Sequence, residues 1–212
     1  MICGIDEAGR GPVMGPLVVA GLWVDKATED LLIQWGVKDS KKHSPQRREF
    51  LSAKIRQVGF SHEIVVPAHD IDSLRETMTL NDLELHIFVS IAQKKMAQTY
   101  ILDSVDVDSE RFQTNFQSNL GWKTHVVAQH RADALYPVVS GASILAKTCR
   151  DAEIRRIAGE LERSLGIPLG SGYPSDPITI KFLVTWLQEF GELPPHTRHS
   201  WKTAKKLKET YL

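Results

Sequence analysis

The stretch "ICGIDEAGRGPVMGPLVVAG", at positions 2–21, constrains the fold of this chain more than any other. Two short apolar runs, Ile2–Ile5 and Leu17–Val24, are bounded by Gly or Pro and are typical of strands, the second of a fully buried strand. Asp6 and Glu7 stand between the first run and a Gly-Arg-Gly-Pro turn. Adjacent carboxylates at the end of a buried strand point to a chemical role, because burying a charge without a partner is costly.

Length and composition indicate an ordinary globular protein. The chain has 212 residues, which suits one medium domain or one domain with a small appendage. No run approaches the roughly 18 apolar residues of a membrane helix, and the N-terminus lacks the features of a signal peptide. Cys3 and Cys149 are the two cysteines, which gives neither a disulfide framework nor a zinc site. We therefore expect a cytoplasmic protein that makes no contact with membranes.

Strands come first along the chain and then alternate with helices. This order predicts an α/β fold in which helices pack on a mixed sheet. The predicted strands are residues 2–5, 17–24, 61–68, 99–104 and 124–129. The predicted helices are residues 44–58, 81–98, 108–116, 137–165 and 176–190, and one that starts at residue 200.

Four carboxylates occupy comparable places in this order. Asp6 and Glu7 end the first strand, Asp103 ends the fourth, and Asp133 lies just after the fifth, before the long helix. If these strands are parallel neighbours, their ends lie side by side, where open α/β sheets bind ligands. Crowded carboxylates need a partner to stay ionised, and hard divalent cations, which in pairs support in-line phosphoryl displacement, are such partners. The ordinary alternative for each residue is a turn or helix cap, the role we expect for Asp108.

The glycine turn after the carboxylates also has two interpretations. Gly9, Gly11 and Gly15 could be hairpin residues that need positive φ. A dinucleotide-binding loop fits less well, because Met14 stands where that motif needs glycine and a strand follows rather than a helix. The turn can therefore bring its backbone amides and Arg10 close to a ligand beside the carboxylates.

Basic residues are clustered although the chain has 26 Lys and Arg against 26 Asp and Glu. The clusters lie at residues 38–49, at residues 146–156, and on the last predicted helix at Lys202, Lys205, Lys206 and Lys208. Each cluster alone could be a solvated face. Together, on a chain of zero net charge, they indicate a surface that follows nucleic-acid phosphates.

Six stretches together resemble the ribonuclease HII family, the type 2 ribonucleases H, over nearly the whole chain. They are "GIDEAGRGPVMGPLVVA", "VKDSKK", "YILDSVDVDSERF", "QHRADALYPVVSGASILAKTCRD", "GSGYPSDP" and "RHSWKTAK". The forms "LDSVDVD", "GSGYPSDP" and "SWKTA" are more similar to the archaeal and eukaryotic branch than to the bacterial one, which favours an archaeal source.

The resemblance implies a fold and a metal site. It implies the ribonuclease H-like fold of the α/β class: a mixed five-stranded sheet flanked by helices, with a small helical C-terminal region. Residues 1–165 would form the catalytic domain, and residues 166–212 would contribute to substrate binding. The resemblance also implies that Mg²⁺ or Mn²⁺ is bound by four catalytic carboxylates, namely Asp6, Glu7, Asp103 and Asp133.

The resemblance further implies how the substrate is bound. Gly9, Arg10 and Gly11 would contact the 2′-hydroxyl and phosphate at an RNA-to-DNA junction, and Tyr173 would stack on the following deoxyribose. Basic residues near the substrate backbone would be Lys41 or Lys42, Lys147 and Arg150. Two positions depart from the family pattern, because Leu135 replaces a lysine and Gly141 replaces an alanine.

We therefore expect a monomeric endoribonuclease with a two-metal mechanism. It would hydrolyse the RNA strand of RNA–DNA hybrids and cut 5′ of single ribonucleotides in duplex DNA, leaving 3′-hydroxyl and 5′-phosphate ends. A sliding clamp is a conceivable partner, although the terminal "KETYL" shows no clear clamp-binding motif. Two other classes stay open. A junction resolvase or transposase-like nuclease would share the carboxylates and ignore the 2′-hydroxyl, and a non-catalytic nucleic-acid-binding module would need the basic clusters alone.

Overall fold

The computed structural model of the chain describes residues 1–37 and 43–212. The chain forms two compact units, each assembled from separate segments. The sheet unit comprises Met1–Ala8, Val18–Ile64 and Thr79–Cys149, and the helical unit comprises Gly9–Leu17, Val65–Met78 and Arg150–Leu212. The domain boundary predicted after residue 165 stays a prediction. Among the described helices, none is long and apolar enough to cross a membrane.

The described residues form a mixed sheet of five strands in the order β3-β2-β1-β4-β5. Strand β1 pairs antiparallel with β2 and parallel with β4, and β4 pairs parallel with β5. This confirms the predicted mixed sheet and the parallel alignment of the first, fourth and fifth strands. The strands are β1 (Ile2–Ala8), β2 (Leu17–Val24), β3 (Phe60–Val66), β4 (Thr99–Asp103) and β5 (His125–Gln129).

Nine helices are present in the described part of the chain. The helix starts predicted at Pro45 and Pro177 are confirmed, because the side chains of Ser44 and Asp176 cap them. Asp108 caps α5 as predicted. The helices are α1 (Lys26–Gln34), α2 (Pro45–Val58), α3 (Ala68–Leu74), α4 (Leu80–Ala92), α5 (Ser109–Leu120), α6 (Ala132–Leu135), α7 (Pro137–Leu165), α8 (Pro177–Phe190) and α9 (Lys202–Tyr211).

The predicted start of α4 was wrong. The helix begins at Leu80 and not at residue 81, because a capping box precedes it: the side chains of Thr79 and Asp82 each accept from the other's backbone N–H. Glu84 lies fully buried on the inner face of α4. The sequence analysis also missed α1, α3 and α6, since helices of nine, seven and four residues show too few turns for a clear apolar period.

The core of the sheet unit lies where α7 packs on the sheet. A Cβ atom added to Gly4 in β1 would lie 2.6 Å from backbone atoms of Val138 and Val139, so only glycine allows this approach of helix and strand. A Cβ atom at Gly141 would lie 2.5 Å from Cδ2 of the buried Leu22. Leu22 therefore occupies the space that an alanine side chain at position 141 would need, which accounts for the glycine there.

The helical unit has its own apolar core. It comprises Val13 and Met14 from the loop before β2, together with side chains from the second half of α7 and from α8 and α9. In α9, Ala204 and Leu207 are buried in this core. The basic residues of α9 are exposed: Lys202, Lys205, Lys206 and Lys208.

Candidate active site

The first two carboxylates lie in the last part of β1, which extends three residues beyond the apolar run Ile2–Ile5. Asp6 pairs with Ala20 and Glu7 with Val19, because β1 keeps pairing with β2 as far as Ala8. The parallel pairing of β1 with β4 reaches only Ile5 and its partner Leu102. Asp6 and Asp103 are each the next residue of their strand, so the parallel alignment directs both acidic residues to the same end of the sheet.

Asp6 is the most constrained of the four carboxylates. Its side chain is 4% exposed, and Oδ1 accepts the backbone N–H of Glu7 at 2.7 Å. Burial raises the pKa of Asp6 well above its usual value, and the negative charges of Asp103 and Glu7 raise it further. A hydrogen bond from Ser143 on α7 opposes this shift of the pKa. The ionised Asp6 therefore lies in an environment that a nearby cation would stabilise.

Asp103 and Asp133 are connected through the short helix α6. Oδ1 of Asp103 accepts the backbone N–H of Ala132 at 2.8 Å, which joins the end of β4 to the start of α6. Asp133 is buried within α6, a short helix that lies between β5 and the long helix, where the sequence analysis placed this residue. Arg131 turns the chain into α6 with a φ of 58°, a left-handed conformation that is uncommon for arginine. Such conformations occur preferentially at functional sites.

The chemistry of these donors fits a divalent metal ion. Asp6, Asp103 and Glu7 offer hard oxygen ligands, and their charges act on one another, which is the environment Mg²⁺ and Mn²⁺ stabilise. Within residues 1–37 and 43–212, however, no group of three or more His, Cys, Asp or Glu side chains has the spacing of a formed metal site.

The glycine turn and Tyr173 are neighbours within the helical unit. Gly9 has a φ of 93°, and a Cβ atom there would lie 2.5 Å from the carbonyl oxygen of Pro16, so position 9 requires glycine. Gly11 is exposed, and the nearest atom to a Cβ added there is Cε1 of Tyr173, at 3.9 Å. The two elements for which the resemblance implied substrate contacts thus lie side by side.

Arg150 is a buried residue whose side chain contacts Tyr173. Its guanidinium group lies 4.9 Å from the centre of the Tyr173 ring, and Nη2 donates to the carbonyl oxygen of Ser171 at 3.1 Å. Arg150 is 1% exposed, so its contact with the substrate backbone stays a prediction. Lys147, on α7 in the sheet unit, is half-buried. Lys41 and Lys42 lie outside the described residues.

The sequence analysis missed three polar residues around these elements. Ser143 hydrogen-bonds to Asp6, Asp176 accepts from Ser171 in the Tyr173 loop, and Arg198 is buried beneath the glycine turn. Each stands in a stretch that carries the family resemblance. The sequence feature that could have identified them is that each is a polar residue in such a stretch to which no role was assigned.

The mixed sheet, with acidic residues at the ends of β1 and β4 and in α6, defines a nuclease with a ribonuclease H-like fold. The Ribonuclease HII family model matches residues 3–204. The chain belongs to the ribonuclease HII family. It is therefore a metal-dependent endoribonuclease with ribonuclease H activity, which sets aside the resolvase and the non-catalytic alternatives.

Curated and solved relatives agree with this assignment and with the archaeal resemblance. Ribonuclease HII from Methanothrix thermoacetophila is 43% identical over 209 residues, which cover 98% of this chain and 97% of that protein. The crystal structure of ribonuclease H2 from Pyrococcus horikoshii superimposes with a TM-score of 0.89 at 38% identity and covers 99% of this chain and 98% of the other. The ribonuclease HII of Archaeoglobus fulgidus, solved in a complex with PCNA, superimposes with a TM-score of 0.88 at 39% identity. The match covers 98% of this chain and 97% of the other.

Proposed function

We propose that this ribonuclease cuts on the 5′ side of single ribonucleotides in duplex DNA, as well as within RNA–DNA hybrids, and leaves 3′-hydroxyl and 5′-phosphate ends. Its catalytic, metal-binding residues are Asp6, Glu7, Asp103 and Asp133. The observation that supports this best is the buried Asp6, whose pKa is raised both by burial and by the charges of Asp103 and Glu7. A nearby cation favours the ionised form of a carboxylate in such surroundings.

Bound Mg²⁺ or Mn²⁺ would activate the attacking water and neutralise charge on the leaving 3′-oxygen, as in two-metal nucleases. The contribution of the chain is to hold the ligands in place. Ser143 and the N–H of Glu7 orient the carboxylate of Asp6, and the N–H of Ala132 orients that of Asp103. Ligands fixed by such neighbouring hydrogen bonds lose less entropy when an ion binds.

Recognition of the ribose belongs to the helical unit in this proposal. The turn Gly9–Arg10–Gly11 reads the ribose 2′-hydroxyl, the group that distinguishes RNA from DNA. Tyr173 positions the next sugar, and the phosphates are bound by Lys41 or Lys42, Lys147, Arg150 and the exposed lysines of α9. Phosphate contacts contribute affinity, whereas the 2′-hydroxyl contact contributes specificity.

The test uses two duplexes that differ by one 2′-hydroxyl. The purified protein is incubated with a duplex that contains a single ribonucleotide, and with the all-DNA duplex, in Mg²⁺, in Mn²⁺ and in EDTA. We expect one cut, 5′ of the ribonucleotide, in either metal and no cut in EDTA or in the all-DNA duplex. Cleavage of both duplexes at similar rates would refute recognition of the junction, and cleavage in EDTA would refute the metal site.

We also propose a monomer that acts in the cytoplasm and has a sliding clamp as a partner. The clamp proposal is supported by the Archaeoglobus fulgidus relative, which was solved with PCNA. In this chain, Tyr211 is 42% and Leu212 65% exposed, so both residues present apolar surface to a partner. Co-elution of the protein with an archaeal clamp, lost in Tyr211→Ala, would support the interaction, and an unchanged elution profile of the wild-type mixture would refute it.

A further inference from the structure

The segment of residues 196–201 runs alongside the glycine turn and the loop that follows it. The N–H of Gly15 donates to the carbonyl oxygen of His196 at 2.9 Å, and the N–H of Arg198 donates to that of Val13 at 2.8 Å. The two segments pair in antiparallel orientation at this point. The C-terminal segment therefore supports the residues that follow the turn through backbone hydrogen bonds.

Arg198 contacts the turn itself. Its side chain is 0% exposed, and each of its three guanidinium nitrogens donates to a different backbone carbonyl. Nη2 donates to Gly9 at 2.6 Å, Nη1 to Arg10 at 3.1 Å and Nε to Gly15 at 3.0 Å. Charge-assisted hydrogen bonds of this kind are stronger than neutral ones, and the planar guanidinium fixes their directions.

These bonds determine which way the peptide groups of the turn face. Because C=O and N–H point in opposite directions in a trans peptide, a carbonyl held toward Arg198 turns the following N–H away from it. The N–H groups of Arg10 and Gly11 therefore point away from the guanidinium. The carbonyl oxygen of Gly11 accepts from Nε1 of Trp201 at 3.3 Å, and the Trp201 ring lies 4.7 Å from the Arg198 guanidinium. Three successive carbonyls are thus held by one short segment.

The segment is anchored in turn to α3. Asp72 accepts the backbone N–H of His199 at 2.6 Å and that of Ser200 at 3.0 Å, as well as the Ser200 hydroxyl at 2.6 Å. Arg75 lies 4.9 Å from the Trp201 ring. The position of Arg198 is therefore defined by packing and hydrogen bonds on both sides of it in the sequence.

We propose that Arg198 is a positioning residue for ribose recognition, an inference that rests on the proposed function of the turn. By holding the carbonyls of Gly9 and Arg10, it directs the N–H groups of the next two residues away from the guanidinium, the orientation in which they donate to the 2′-oxygen and the adjacent phosphate of a bound substrate. A flipped peptide would present a carbonyl oxygen instead, which repels phosphate because both groups only accept hydrogen bonds. Trp201 assists by holding the carbonyl of Gly11.

The test compares three variants on the two duplexes that differ by one 2′-hydroxyl. Arg198→Lys keeps the positive charge and loses the three-carbonyl geometry, and Trp201→Phe keeps a ring and loses the donor to Gly11. Arg163→Lys, at an exposed position of α7, is the matched control. The single-turnover cleavage rate is measured on the ribonucleotide duplex in Mg²⁺, and the Kd for the all-DNA duplex is measured separately.

We expect Arg198→Lys to lower the cleavage rate by roughly 30- to 100-fold, a loss typical of misplaced substrate. We expect Trp201→Phe to lower it by several-fold and Arg163→Lys to leave it unchanged. The Kd for all-DNA duplex should stay within about twofold in all three, since most phosphate contacts are made by residues outside the turn. General damage to the helical unit would weaken DNA binding as well.

Two outcomes would overturn the inference. One is a wild-type cleavage rate in Arg198→Lys, and the other is a loss of DNA affinity that matches the loss of rate. If Arg198→Lys does not fold, as judged by its thermal melt, Trp201→Phe alone decides the question by the same two measurements. Failure of the proposed function looks different, because the wild-type protein itself would then not distinguish the two duplexes.

Discussion

The carboxylate of Asp103 accepts the backbone N–H of Ala132 at 2.8 Å, one residue before Asp133. Asp103 is thus hydrogen-bonded to the backbone residue that precedes Asp133 in the sequence, and this contact needs no metal. The bond uses Oδ1 as an acceptor, a role that an asparagine side-chain oxygen can also fill. An Asp103→Asn substitution therefore removes the negative charge of residue 103 and keeps its hydrogen bond to Ala132.

We expect Asp103→Asn to fold normally and to lose cleavage activity. The amide keeps the hydrogen bond to Ala132 but is a poorer ligand for a divalent cation. The measurements are the thermal melt and single-turnover cleavage in Mg²⁺. Asp108→Asn, which retains a capping side chain at the start of α5, is the control and should cleave at the wild-type rate. Near-normal cleavage by Asp103→Asn would remove that residue from the site.

Asp6→Asn should make the metal-free protein more stable while abolishing cleavage. The ionised Asp6 is buried and repelled by Asp103 and Glu7, which is why its pKa is raised, and the neutral amide removes that repulsion. The comparison is between melting temperatures of wild type and variant in EDTA and again in Mg²⁺. We expect the variant to melt higher in EDTA and to gain less from Mg²⁺. A variant that melts lower than wild type in EDTA would contradict the electrostatic argument.

Tyr173→Ala should slow cleavage 5′ of a single ribonucleotide by a factor on the order of 10², because misalignment of the reacting phosphate commonly costs that much. Affinity should fall less, since the phosphate contacts persist. Tyr173→Phe is the matched control: it keeps a ring for the contact with Arg150 and should stay near the wild-type rate. An unchanged rate in Tyr173→Ala would show that the residue only packs against its neighbours.

The lysines of α9 are better tested by substitution than by deleting the helix. A deletion from residue 200 would remove Trp201 from the turn and Ala204 and Leu207 from the core. The double variant Lys205→Gln/Lys208→Gln should bind more weakly and lower the slope of log K against log salt by roughly 1.8, about 0.9 for each lost phosphate contact. Lys94→Gln, at an exposed position of the sheet unit, is the control. An unchanged slope would show that this face of α9 is merely solvated.

The pH dependence of stability should reveal the pairing of Asp106 with Arg111. The hydrogen bond from Arg111 holds the pKa of Asp106 below its usual value, and Nε lies 3.1 Å from Oδ2. A depressed pKa gives stability that is present above the ordinary Asp pKa of about 3.9 and is lost as the pH falls through the folded-state value. Arg111→Gln should therefore be less stable than wild type at pH 5–7.

Unfolding in urea between pH 2 and pH 7 provides the measurement. The stability difference between wild type and Arg111→Gln should be constant above about pH 5 and shrink at lower pH, because Asp106 is then protonated in both proteins. Arg56→Gln is the control variant, because it also removes an ion pair of the sheet unit, the one with Glu63, and leaves Asp106 and Arg111 unchanged. A difference that stays constant down to pH 2 would mean that Arg111 stabilises the protein by packing alone.

The strands and the longest helix could be predicted because their signals are local. β2 is a continuous apolar run, and α7 begins at Pro137 and ends just before Gly166, as the sequence indicated. Alignment of the acidic residues followed from the parallel order of β1, β4 and β5. These features depend on periodicity and on residues that begin or end an element.

The contacts that orient the site could not be predicted, because they join residues far apart in the chain. Arg198 holds carbonyls of residues more than 180 positions earlier, and Ser143 reaches Asp6 from the other side of the core. The left-handed conformation of Arg131 is likewise imposed by tertiary packing, since arginine has no intrinsic preference for positive φ. Family resemblance singled out the right stretches but not which of their polar residues support the others.

The absence of a side chain at Gly4 has a consequence for how this enzyme tolerates mutation. Its backbone lies against that of Val138 and Val139 at the start of α7, and the same helix carries Ser143 to Asp6 two residues further along β1. Any larger residue at position 4 would push helix and strand apart and lengthen the reach from Ser143 to the carboxylate. A mutational scan scored by cleavage would therefore group this glycine with the acidic residues, although it has no atom that could take part in the reaction.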